Sequence, residues 1–164
     1  MRPKRIEPAP GQESVWDYPR PPKLEIVNKR IRIIFNGQTI ADTQEAMRVL
    51  ETSHPPTYYL PQKDIEMQFL SQTSRSTGCE FKGRAVYWTV QVDNKEAVNA
   101  AWSYPDPTKA FLPMKDYLAF YASKMDACYI GDEQVQKQEG DFYGGWITSD
   151  IVGPFKGGAG TWGW

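Results

Sequence analysis

The chain has 164 residues, which suits one domain around one hydrophobic core. Hydrophobic residues make up 40% and charged residues 24%, an ordinary globular balance, and the net charge of −1 at pH 7 lacks the basic excess of a nucleic-acid binder. No apolar run approaches the roughly 18 residues of a membrane span, and the Pro-rich, charged first residues do not read as a signal peptide.

Residues 1–24 hold six of the 13 prolines. Proline removes backbone donors and disfavours helices and central strands. This segment reads as an extended arm, laid over the domain through Trp16 and Tyr18 or free as a tail. Ile31–Phe35 and Gln38–Asp42 flank Asn36-Gly37, the strongest short hairpin signal because both residues tolerate positive φ. Thr43–Leu50 fits a short helix capped by Asp42 or Thr43, or in part a strand. Thr57–Leu60 reads as a strand between prolines, and Asp64–Leu70 as a helix with Ile65 and Phe69 on one side. Ala85–Val92 alternates with period two, placing Val86, Trp88, Val90 and Val92 on one face. After a turn at Asp93-Asn94-Lys95, Ala97–Tyr104 returns with Val98, Ala100, Trp102 and Tyr104 in phase. This predicts Trp88 and Trp102 on a shared core face. Leu118–Tyr121 and Ile147–Val152 are further strand candidates, and Met125–Val135 is ambiguous. The Gly/Trp-rich tail, 136–164, includes Gly157-Gly158-Ala159-Gly160, an ordered loop or a fraying end. The basic first 32 residues and the acidic stretch Asp126–Asp141 read as solvated surface.

The predicted fold is mainly β: a compact antiparallel domain with few short helices. The single domain spans 25–164, with its core about 31–135.

Two segments concentrate polar chemistry. The first, Val49–Pro61, carries Glu51, His54, Tyr58 and Tyr59. In a strand the two tyrosines face opposite ways, so only one can look into a given pocket. A carboxylate such as Glu51 close to a buried face needs a partner. His54, beside Pro55-Pro56, reads as a loop residue with a satisfied hydrogen bond in preference to a catalytic base. The second segment, Thr73–Trp88, packs hydroxyls, Cys79, Lys82 and Arg84 around a strand start. Lys82 and Arg84 could hold an anion. Cys79 is either a nucleophile activated by a neighbouring cation or a small thiol at a loop junction. Gly153–Gly160 lacks the Gly-Lys-Ser/Thr ending of a phosphate-binding loop and reads as structural. Two cysteines, Cys79 and Cys128, fit neither a disulfide framework nor a C-x-x-C metal spacing. With one histidine besides, no zinc set is expected, and the reducing cytoplasm is the expected compartment.

These segments carry a resemblance to a known family. Ile40-Ala41-Asp42-Thr43, Val49-Leu50-Glu51-Thr52 with His54-Pro55-Pro56, Tyr58-Tyr59 and Pro61, and Cys79, Phe81-Lys82-Gly83, Ala85 and Tyr87-Trp88 occur in order. Trp102, Tyr104, Ala119-Phe120-Tyr121 and Asp126 follow. Together they resemble the family named domain of unknown function 427, from about Ile31 to about Val135, with the tail similar to an extension of some members. The resemblance implies a β-tent-like fold, whose better-known relatives bind zinc between C-x-x-C knuckles that this chain lacks. It also implies a nucleotidyltransferase-like activity. Such an enzyme needs carboxylates to hold Mg²⁺ against phosphates, and its usual Gly-Ser followed by a close Asp-x-Asp or Asp-x-Glu is absent here.

Three functions follow as expectations. The first is a small-molecule binding protein or enzyme with an aromatic pocket. Its walls would be Tyr58 or Tyr59, Trp88, Trp102 and Tyr121. Its polar ligand-binding groups would be Arg48, Glu51, Tyr59, Thr77, Cys79 and Lys82, with no cofactor, no metal, and no nucleic-acid or membrane partner. The second is a non-catalytic interaction module that meets a partner chain or a second copy through the arm and tail. The third is a nucleotidyl-transfer enzyme with a basic pocket beside paired carboxylates.

Overall fold

A computed structural model describes residues 3–140 and 142–164. The readings of Arg2 and Asp141 as charged surface lie outside the described residues. Short β1 (Glu13–Ser14) and β2 (Lys23–Ile26) are followed by β3 (Ile31–Phe35), β4 (Gln38–Thr43), β5 (Met47–Leu50) and β6 (Thr57–Tyr59). The long strands come next: β7 (Leu70–Cys79), β8 (Gly83–Val92) and β9 (Lys95–Ser103). Then come β10 (Leu118–Phe120), β11 (Ala127–Ile130), β12 (Glu133–Gln134), β13 (Gln136–Lys137), β14 (Trp146–Ile147) and β15 (Ile151–Val152). The helical pieces among the described residues are short 3₁₀ turns. The fold is mainly β, and none of its helices is long and apolar enough to cross a membrane among the described residues.

Turn chemistry explains several elements. Asn36 and Gly37 both have positive φ, 48° and 77°, which closes the tight hairpin between β3 and β4. Of the two readings of Thr43–Leu50, the strand is correct: β5 pairs with β2 on one side and β6 on the other. The helix predicted over Asp64–Leu70 does not form. Two 3₁₀ turns, Gln62–Asp64 and Met67–Phe69, lead into β7 instead. Three or four apolar side chains are too few to hold so short a helix without good caps, and neither turn has a side-chain cap.

A sheet of order β10-β9-β8-β7 has both faces covered in part. One face packs Val90, Val92, Ala101, Leu118 and Phe120 against Ile31, Ile33, Phe35 and Cys128 of the sheet β12-β11-β3-β4. The other packs Ala85, Tyr87, Trp102 and Ala119 against Val49 and Tyr59 of the sheet β2-β5-β6. Tyr58, one residue away, joins the first core, as strand alternation requires.

Trp88 and Trp102 do not share a face, which corrects the sequence reading. Trp88 pairs with Ala101 and Tyr87 pairs with Trp102, so the two indoles point to opposite sides of the sheet. The cause is the turn: Asp93-Asn94 is a two-residue turn that pairs Val92 with Lys95, so even-numbered residues of β8 face odd-numbered residues of β9. Further along, one residue of β8 between Trp88 and Val90 faces three of β9 between Ala101 and Ala97, around Asn99 with φ 51°, a bulge that keeps this parity. Val98 is left exposed while Trp102 is buried.

The described residues of the arm and tail lie on the domain. β1 runs parallel to β15, and Val15, Tyr18, Leu50 and Ile151 form a small core of their own. The Trp16 indole donates to the Pro154 carbonyl. Trp102→Ala is expected to cost on the order of 3–5 kcal/mol, and Trp88→Ala, at a half-buried position, clearly less. Urea unfolding of the two variants checks this ordering.

Candidate functional site

A cavity of about 280 Å³ opens on the Trp102 face of the central sheet. Three pieces of backbone build it. The first is the turn after β5. His54 N–H donates to the Glu51 carbonyl at 3.0 Å, and Ser53 sits at φ 74°. This tight turn brings the Glu51 and His54 side chains together, with His54 Nε2 3.9 Å from Glu51 Oε2.

The second piece is the β7–β8 hairpin. Thr77 and Cys79 share a face by alternation, and the hairpin tip carries Lys82. Thr108 secures the tip: its hydroxyl donates to the Phe81 carbonyl at 2.6 Å and its N–H to the Lys82 carbonyl at 3.1 Å. The third is the tail. The connection between β13 and β14 crosses the cavity with Gln138, Phe142, Tyr143 and Gly144, and Lys156 follows. Gly144 lies flat against the Trp102 indole, where any side-chain Cβ would overlap the ring.

The walls are aromatic. Tyr59 and Tyr104 lie 6.2 Å apart by ring centroids, and Trp102 Nε1–H donates to the Tyr59 hydroxyl at 3.4 Å. Thr77 and Tyr87 share a hydroxyl–hydroxyl hydrogen bond of 3.0 Å. Burial raises the Tyr59 and Tyr104 pKa values, opposed at Tyr59 by Lys82 and the Trp102 donor and reinforced at Tyr104 by its neighbours, so both phenols stay neutral.

The structure therefore brings Glu51, Tyr59, Thr77, Cys79 and Lys82 around one cavity. Arg48 is not among them. In β5 it pairs with Glu25 of β2 and Tyr58 of β6 and points to the opposite face from Val49. There its guanidinium bonds Glu25 at 2.8 Å and Glu13 at 2.7 Å, which fastens the arm. Parity along one strand decides this placement. Trp88 is likewise no wall of the cavity. Tyr121 stacks behind Trp102 at 4.6 Å without lining the cavity, and Arg84 is exposed.

His54, set aside as a loop residue, lines the cavity and is largely buried. Desolvation, aided by Lys156, Arg20 and Lys82, pushes its pKa down to about 3. The sequence reading also missed Gln138, Phe142, Tyr143, Gly144 and Lys156. The one signal for them was the density of glycine and aromatic residues in the tail.

Charge in the cavity is unevenly matched. Glu51 is held by Arg20 of the arm at 3.3 Å. Lys82 forms no ion pair among the described residues, although its ammonium is within 6.0 Å of the Tyr104 ring centroid. Burial opposes the Lys82 charge, but Tyr59, Cys79 and Glu51 around it more than compensate, so its pKa lies above the usual lysine value. Lys156 stands over the Tyr143 ring at 5.5 Å. Among the described residues no three His, Cys, Asp or Glu side chains converge as metal ligands.

Residues 23–131 match the profile of a family described as a domain of unknown function, DUF427. The chain belongs to the DUF427 family. No curated protein matches it. The DUF427 region supplies Glu51, His54, Tyr59, Cys79, Lys82 and Trp102, while Gln138, Tyr143 and Lys156 come from beyond it.

His54 also sets a pH dependence. In the unfolded chain the imidazole takes up a proton near its ordinary pKa of 6.5, but in the fold it does so only at about 3. This contribution to stability is therefore fully present above about pH 6.5. It is lost as pH falls toward 3, at up to about 1.4 kcal/mol per unit. Urea unfolding of the native protein and His54→Gln between about pH 7 and about pH 5 checks it. The native protein is expected to lose stability more steeply than the variant.

Proposed function

We propose that the protein binds a metabolite-sized anion in this cavity. The observation that carries the reading is Lys82: a half-buried ammonium, without an ion-pair partner among the described residues, set against an aromatic wall. A buried cation favours a counter-charge, and no carboxylate among the described residues sits on this one. A ligand carboxylate or phosphate supplies the charge, and its apolar body lies against Tyr59, Tyr104 and Trp102. A cavity of about 280 Å³ is near the low end of small-molecule sites, roughly 300–1,000 Å³, which favours a small metabolite over a nucleoside triphosphate. The reading suits a reducing, cytoplasmic setting, since Cys79 lines the cavity as a free thiol. The partner is a small molecule, and neither nucleic acid nor membrane enters the proposal.

A thermal-shift screen with small aromatic and aliphatic carboxylates and phosphate esters tests it. A ligand present at about 100 times its Kd should stabilise the fold by about 2.7 kcal/mol. Lys82→Met is expected to abolish that gain without changing cooperative unfolding in buffer. Equal stabilisation by uncharged analogues, or no response to any anion, would overturn the proposal.

A further inference from the structure

We infer that Glu51 and His54 together recognise a hydroxyl group, so that the ligand of this cavity is a hydroxylated anion; the inference deepens the anion-binding reading and rests on it. The argument begins at Gln138, which is buried. The Gly145 N–H donates to Gln138 Oε1 at 3.0 Å, and a backbone N–H can only donate, so this end of the amide is the oxygen. The other end is then the NH₂ group. It donates to the Lys156 carbonyl at 2.7 Å and meets His54 Nδ1 at 3.1 Å. A donor facing Nδ1 requires that nitrogen to accept. The imidazole proton therefore sits on Nε2.

Nε2 lies on the side of Glu51, which like His54 lines the cavity, and its N–H makes no hydrogen bond among the described residues. The nearest carboxylate oxygen, Glu51 Oε2, is 3.9 Å away, too far for a direct bond. A single oxygen about 2.8 Å from each atom fits that gap. It must accept from Nε2–H and donate to the carboxylate. An ionised carboxylate or phosphate oxygen cannot donate, and an ammonium cannot accept. A hydroxyl does both.

The groups around the pair hold it in this state. Arg20 fixes the Glu51 carboxylate, and Tyr143 packs edge-on against the imidazole at 4.7 Å. Arg20, Lys82 and Lys156 all disfavour a second proton on the ring. His54 thus acts as a neutral donor. The two cavity functions separate: Glu51 and His54 read the hydroxyl, and Lys82 takes the charge.

His54 is the only histidine in the chain, so its long-range ¹⁵N–¹H spectrum reads one imidazole. The expected result is the Nε2–H tautomer, unchanged from about pH 8 to about pH 5. Binding is then compared for matched pairs: mandelate with phenylacetate, lactate with propionate, and glycerol 3-phosphate with propyl phosphate. The hydroxylated member is expected to bind about tenfold tighter. His54→Phe, which keeps a ring against Tyr143, should erase the difference, while Lys82→Met should weaken both members of a pair. An Nδ1–H tautomer, or an imidazole titrating near its ordinary value, overturns the inference even if a variant fails to fold. Anions that bind with no hydroxyl preference overturn it too, the pair then holding a water, and leave the anion-binding proposal standing. Binding by no member of any pair overturns both.

Discussion

The site depends on a four-residue turn, Glu51–His54, that is gripped from both sides. On one side the arm holds it: Ser53 N–H donates to the Val15 carbonyl, Thr52 N–H to the Pro19 carbonyl, and Thr52 Oγ1–H to the Tyr18 carbonyl. On the other side the tail holds it, through Lys156 N–H donating to the Ser53 carbonyl. Ser53 sits in the left-handed region, which a non-glycine residue adopts at a cost when the surroundings fix it there. These bonds fix it. Loss of either grip would free Glu51 and His54 to separate, and the cavity would lose its polar wall.

The second constraint is a sheet covered in part on both faces. Where both faces are covered, each residue of β8 and β9 goes to one core or the other, so the register decides what the cavity contains. Tyr87 and Trp102 reach it because they are paired across the strands, and Trp88 does not because it is one residue out of phase. Aromatic side chains on the cavity face give a dry wall that strengthens the field of the lysine at its rim. The opposite face carries mostly aliphatic residues and serves only to pack.

Much of this was legible in the residues. Asn36-Gly37 marks its hairpin because few other dipeptides accept two positive φ angles. Alternation at Tyr58-Tyr59 shows that one tyrosine alone can face a pocket, though not which one. Glu51, Thr77, Cys79 and Lys82 were legible as a group because their segments flank aromatic strands. What escaped depends on register or on distance along the chain. The two-residue turn Asp93-Asn94 sends Trp88 and Trp102 to opposite faces, and the turn Asp93-Asn94-Lys95 read from the sequence, one residue longer, would have put them on one. Arg48 is one residue from Val49, and only the pairing of β5 tells which of them faces the cavity. Gln138 meets His54 from 84 residues away, beyond any spacing rule.

The cavity's lid and basin have different origins in the chain. Strands within residues 23–131 form the basin, and the loop that closes it comes from the segment after them. That loop contributes no long strand to the core and touches the basin through a few side chains and glycine backbone. Apart from Gln138, Gly144 and Gly145, which are fitted against His54, Trp102 and Pro55, its sequence can therefore change with little cost to the sheets beneath it. A scaffold built this way can exchange one guest for another by rewriting its closing loop, as a lock is re-keyed without replacing the door.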